Sequence, residues 1–131
     1  MGGCPTIVSV YPDHRPSRSV RETPVPLPPE LLAAQGWAVL RPDIPYDQGA
    51  RADPIEATPA AALPAVDEAV RRAHADRLAV LGVSSGGAAV LGLLTRTGRF
   101  RAAVAESGTA DMPPSSASGT LPCGAPSGSA P

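Results

Sequence analysis

The sequence predicts an α/β protein built on a small parallel sheet, about four strands with helices on both faces. Two observations carry that expectation. The strand-like runs are continuously apolar instead of alternating, which suits strands covered on both sides. Between them lie helix-like stretches, giving the order β–α–β–α–β–α–β. Parallel neighbours need such crossovers, and the crossovers should be right-handed.

The first strand is Thr6–Tyr11, β-branched and apolar, bounded by Pro5 and Pro12. Residues 12–27 are polar and proline-rich and read as loop. The first helix lies in "PPELLAAQG", with prolines where a first turn tolerates them and Gly36 as its stop. Trp37–Asp43 is the second strand. A long loop with several prolines follows, over about 44–60. Residues 62–75 form the second helix, with Leu63, Val66 and Val70 on one face and Asp67, Glu68, Arg71 and Arg72 mostly elsewhere. Asp76–Ser84 is the third strand, Ser85–Gly98 the third helix and Phe100–Ser107 the fourth strand.

A chain of 131 residues suits one small domain with one core. Its aromatic residues are Tyr11, Trp37, Tyr46 and Phe100, so the core must be built from Val, Leu, Ile and Ala. The net charge is −1 and the eleven basic residues, all Arg, are scattered. That gives no electrostatic case for nucleic acid or an anionic membrane surface. No apolar run approaches the ~20 residues of a membrane span. The N-terminus lacks a charged segment followed by a long apolar one, so no signal peptide is visible and a cytoplasmic location is expected. Cys4 and Cys123 have no metal-ligand spacing and read as free thiols. The chain divides into a domain over residues 1–112 and a tail over 113–131. The tail is mostly Pro, Ser, Gly and Ala, and cannot bury enough apolar surface to offset its ordering entropy, so it is expected to be disordered.

The most informative stretch is "LAVLGVSSGGAAVLG", residues 78–92. Gly82-Val83-Ser84-Ser85-Gly86 fits G-x-S-x-G, placed after a predicted strand and opening a predicted helix. A sharp strand-to-helix turn forces its central residue into a strained backbone and lifts that hydroxyl above the sheet. Positions two before and two after must be tiny because the chain passes close to itself, and Gly82 and Gly86 satisfy this. Were Ser85 the nucleophile, position 83 would have to be small, and it is Val. Ser84 is therefore the candidate nucleophile. The Ser85 N–H, at the helix N-terminus, is the candidate donor to an oxyanion. A phosphate-binding loop would need a Lys, and the chain has none. A dinucleotide fingerprint fails because Val83-Ser84 breaks its first spacing.

"DRLAVLGVSSGGAAVLGLLTRTGRFRAAVAESGTADM" resembles the catalytic domain of prolyl oligopeptidase-type serine peptidases, the S9 group of α/β-hydrolases. The matching positions are Gly82, Ser84, Gly86, Gly87, Thr95, Thr97, Arg99, Phe100, Ala102, Ala103, Val104, Gly108 and Asp111. "LLAAQGWAVLRPDIPY" and "LPAVDEAVRR" are similar to upstream segments of that family, so the resemblance covers roughly residues 5–112. It implies a partial α/β-hydrolase fold and hydrolysis of a peptide substrate through a Ser nucleophile, with no metal or cofactor. It also implies that Tyr11, after the first strand, supplies a second oxyanion donor through its hydroxyl. Two features depart from the pattern: the glycines that usually follow the tyrosine are missing, and Val83 and Ser85 replace a His- or Gln-like residue and an aromatic.

A serine nucleophile needs a base and an acid to orient it, which in α/β-hydrolases follow in the order Ser, Asp or Glu, His. After Ser84 the only acids are Glu106 and Asp111, and no His follows. His74 reads as an exposed helix-end residue, His14 as a loop residue and Asp111 as a turn. Loss of triad members lowers kcat by about 10⁴–10⁶. The abrupt change near residue 112 suggests a truncated or frame-shifted reading of a longer gene, and a complementary chain is the partner that would restore the triad. The alternatives are a catalytically inactive remnant or interaction module, and an esterase or acyl hydrolase on the same fold.

Overall fold

The structure is a computed structural model and describes residues 2–12, 15–17, 27–45 and 54–109. The elements are β1 (Cys4–Ser9), α1 (Pro29–Ala34), β2 (Ala38–Leu40), α2 (Pro54–Ala73), β3 (Ala75–Val83), α3 (Ser85–Arg96) and β4 (Phe100–Glu106). The four strands form one sheet in the order β2-β1-β3-β4, and every neighbouring pair is parallel. The α/β expectation with about four parallel strands therefore holds. The disordered-tail expectation for 113–131, along with Asp111, His14 and Cys123, lies outside the described residues.

The connection from β1 to β2 runs one way across the sheet, while those from β2 to β3 and from β3 to β4 run the other way. Right-handed crossovers then put α1 on one face and α2 with α3 on the opposite face. α2 and α3 pack on each other and on β3, and α1 packs on β2. The core lies between the central strands and the α2–α3 layer. Val8, Val10, Val66, Val80, Val90 and Leu93 are all buried there. β1 and β3 supply most of the strand residues because they alone have a strand on each side.

Two expectations are corrected. The loop predicted over 44–60 gives way to helix at Pro54, and α2 contains Pro59 and Pro64. An interior proline lacks an N–H and crowds the carbonyl four residues earlier. Here burial outweighs that cost: Thr58, Pro59, Ala62 and Val66 are buried. Gly92 of α3 brings the two helices close, since a Cβ there would lie 2.5 Å from the Ile55 carbonyl oxygen. The second correction concerns β4. Its apolar run suggested a strand covered on both faces, yet residues 101–106 are exposed, and among the described residues β4 is an edge of the sheet.

Surface ion pairs add local ties. Arg99, in the turn before β4, pairs with Asp67 of α2. Glu68 pairs with Arg71 and Arg72 one turn further along. Exposed pairs of this kind contribute about 0–1 kcal/mol each, so they trim the fold and do not decide it.

Candidate active site

The site is built at the carboxyl ends of the two central strands. β3 ends at Val83, α3 begins at Ser85, and Ser84 is the single residue between them. Its backbone has φ 56° and ψ −120°. Non-glycine residues rarely adopt such a positive φ, and holding one there costs on the order of 1–3 kcal/mol. Ser84 occupies the N-cap position of α3, where a serine hydroxyl ordinarily accepts a bond from an early helical N–H. Here the side chain makes no capping bond, and the residue is exposed. The hydroxyl is thus not engaged in capping the helix it precedes.

The tightness of the turn is measurable at its glycines. A Cβ on Gly82 would lie 2.2 Å from the Gly86 carbonyl oxygen. One on Gly86 would lie 2.4 Å from the Val10 carbonyl oxygen and 3.3 Å from Cδ2 of Tyr11. The requirement for tiny residues two before and two after Ser84 is therefore met by backbone contact. The Ser84 carbonyl accepts from the Ala88 N–H at 3.2 Å, the first bond of α3. The N–H groups ahead of Ala88, including that of half-buried Ser85, have no acceptor within the helix by position. They lie at the positive end of the helix dipole.

Tyr11 stands just past β1, and β1 is the neighbour of β3. Val10 donates to the Leu81 carbonyl at 3.0 Å, which carries the β1–β3 ladder up to the turn. Tyr11 is half-buried with its ring against Gly86. Of the sequence-predicted site residues, Ser84, Ser85 and Tyr11 are thus brought together at one end of the sheet. That end is also where the connections from β1 and β3 diverge to opposite faces. In open α/β sheets the crevice at such a switch point is where ligands bind. His74 lies elsewhere. It follows α2 at the opposite end of β3, is exposed, and its carbonyl accepts from the Cys4 N–H at 3.3 Å.

Sequence reasoning missed three supports of this site. Ser84 donates its N–H to the Glu106 carbonyl at 2.8 Å. Gly87 and Gly108 touch: a Cβ on Gly108 would lie 2.5 Å from the Gly87 carbonyl carbon. Asp43, beyond β2, accepts the Ser17 N–H at 2.9 Å and also the Ser17 hydroxyl, tying the segment after β1 to the end of β2. The glycine at 108 was visible in the sequence, but nothing local showed what it faces.

Comparison with known proteins adds the family. Residues 59–123 match the prolyl oligopeptidase family. The similarity supports a domain of that family in this segment. No curated protein and no solved structure gives a match. The matched prolyl oligopeptidase segment takes in most of α2, all of β3, the Ser84 turn, α3 and β4. It begins well after Tyr11, and it runs into the residues read as tail. Among the described residues no helix is long and apolar enough to cross a membrane, and no cluster of His, Cys, Asp or Glu has the makings of a metal site.

Proposed function

We propose that this chain carries the nucleophile half of a serine-type peptidase, with Ser84 attacking the peptide carbonyl. The observation that supports this most directly is the Ser84 backbone. A strained, exposed serine between strand and helix, whose hydroxyl does not cap that helix, is an expensive arrangement with no evident benefit to stability.

The chemistry follows from the groups at hand. The Ser84 Oγ adds to the carbonyl carbon, and the carbonyl π electrons move to oxygen. The Ser85 N–H, aided by the helix dipole, and the Tyr11 hydroxyl donate to that oxyanion. Collapse expels the amine and leaves an ester on Ser84, which water then cleaves. The Ser84 proton must pass through a base to the leaving amine. No His follows Ser84 in the sequence. His74 is roughly 30 Å away along β3, taking ~3.3 Å per residue. A complementary chain bearing the base and its acid completes the reading.

Reaction with an active-site fluorophosphonate tests it. The wild-type chain should be modified at one serine, and Ser84→Ala should abolish the modification. Labelling that survives Ser84→Ala overturns the assignment. The order of the histidines favours a second reading, a remnant that keeps the turn but cannot complete catalysis. A folded wild-type chain that takes no label supports that reading. Labelling with turnover of activated esters but not of peptides supports an esterase.

A further inference from the structure

We propose that the bend after β4, Ser107–Gly108, is a buttress that sets the position of Ser84 and of the first amides of α3, with Gly108 as the positioning residue. The inference deepens the reading of Ser84 as nucleophile and rests on it. β4 reaches the turn through one backbone bond, Ser84 N–H to the Glu106 carbonyl at 2.8 Å. Immediately beyond, the chain folds back onto the start of α3. A Cβ on Gly108 would lie 2.5 Å from the Gly87 carbonyl carbon and 2.7 Å from the Ala88 nitrogen. A Cβ on Gly87 would in turn lie 2.8 Å from both the Glu106 carbonyl oxygen and Gly108 Cα. Every atom named is backbone, so no side chain can swing aside to relieve a clash. Ser107 makes the bend with φ 52°, in the left-handed region that favours glycine.

Gly82 and Gly86 brace the turn from within and from the β1 side. Glu106 and Gly108 brace it from the β4 side. A methyl at 108 would push α3 away from β4 just where its first amides and Ser84 are aligned. A misplacement of ~1 Å at reacting groups costs on the order of 10²-fold in rate.

Gly92 provides a matched control. It lies on the same helix, and a Cβ there would meet the Ile55 carbonyl oxygen at 2.5 Å, but against α2 and away from the turn. Gly108→Ala and Gly92→Ala are compared in the full chain by thermal denaturation, by amide hydrogen exchange at Ser84, and by the kinetics of phosphonylation by the fluorophosphonate. Both substitutions should lower Tm. Only Gly108→Ala should speed Ser84 amide exchange, by about tenfold or more, because only it opens that bond locally. Only Gly108→Ala should lower the maximal phosphonylation rate, again by about tenfold or more, with the half-saturating reagent concentration within about twofold of wild type. Equal effects from Gly92→Ala, or unchanged Ser84 exchange in a folded Gly108→Ala chain, overturn the proposal. Should Gly108→Ala fail to fold, Ser107→Val puts no methyl at the Gly108 contact but strains the bend, because a β-branched residue disfavours its positive φ. Ser84 exchange should then rise severalfold, and unchanged exchange overturns the proposal. A wild-type chain that is not phosphonylated defeats the nucleophile reading, while the exchange comparison still decides the buttress.

Discussion

Ser84 is the residue at which stability and the proposed chemistry pull in opposite directions. Its positive φ is unfavourable for any side chain with a Cβ, and glycine would adopt it with little cost. Ser84→Gly should therefore be more stable than Ser84→Ala, by about 1–2 kcal/mol, with both variants unreactive toward fluorophosphonate. Urea denaturation of the two proteins checks the difference. Equal stabilities would mean that the turn is not under strain. Val83 and Ser85 leave the backbone part of the turn intact, since the close contacts run through Gly82, Gly86 and Gly87. The motif was legible in the sequence for that reason: its requirements concern five consecutive residues and their sterics. The contact of Tyr11 with Gly86 was not, because it joins residues 75 positions apart through strand pairing (86 − 11).

Among the elements, α2 is the one whose sequence argues against it. Pro59 and Pro64 both fall inside the helix, and propensity alone places an end near either of them. They differ in surroundings. Pro59 is buried and contributes packing, while Pro64 is exposed and contributes none. Pro64→Ala should restore a donor to the helix and remove the ring's crowding of the Ala60 carbonyl. Against this, the unfolded chain gains freedom on losing a proline, which offsets part of the benefit. A net gain of about 1 kcal/mol is expected, read as a rise in Tm and in the urea midpoint. A loss on Pro64→Ala would show that the irregularity at this point is itself needed for the fit of α2 on α3. The helix-compatible spacing of Leu63, Val66 and Val70 was readable from periodicity. The turns before it were masked by their prolines, and the contact of Gly92 with the Ile55 backbone shows what holds them.

At the scale of the whole sheet, the exposed edge that β4 forms among the described residues is the outstanding feature. β4 offers Ala102, Ala103, Val104 and Ala105 on an edge strand with charges only at its ends, Arg101 and Glu106. Val104 is 54% exposed. Edge strands are commonly blunted by a central charge, a proline or a bulge; the register of β4 on β3 shifts at Arg101, but Ala102–Ala105 beyond it has neither charge nor proline. Val104→Lys should reduce concentration-dependent association, measured by light scattering. Stability should change by no more than about 0.5 kcal/mol, as expected for an exposed site. Unchanged scattering would show that this edge is not where chains meet. The core is less sensitive to this change because its main residues come from β1, β3, α2 and α3.

The sequence by itself determined the succession of elements, the apolar strands, the tight glycine-flanked turn and the serine at its summit. Each of these follows from local sterics, hydrophobic spacing or both, which act between residues a few positions apart. Tertiary structure alone decided the strand order, and with it everything that depends on neighbours. It made β4 an edge although its composition suits burial, extended α2 through two prolines, and brought Tyr11 and the Ser107–Gly108 bend against the turn. Strand pairing and helix packing join residues far apart in the chain, and no local pattern records which partners will meet.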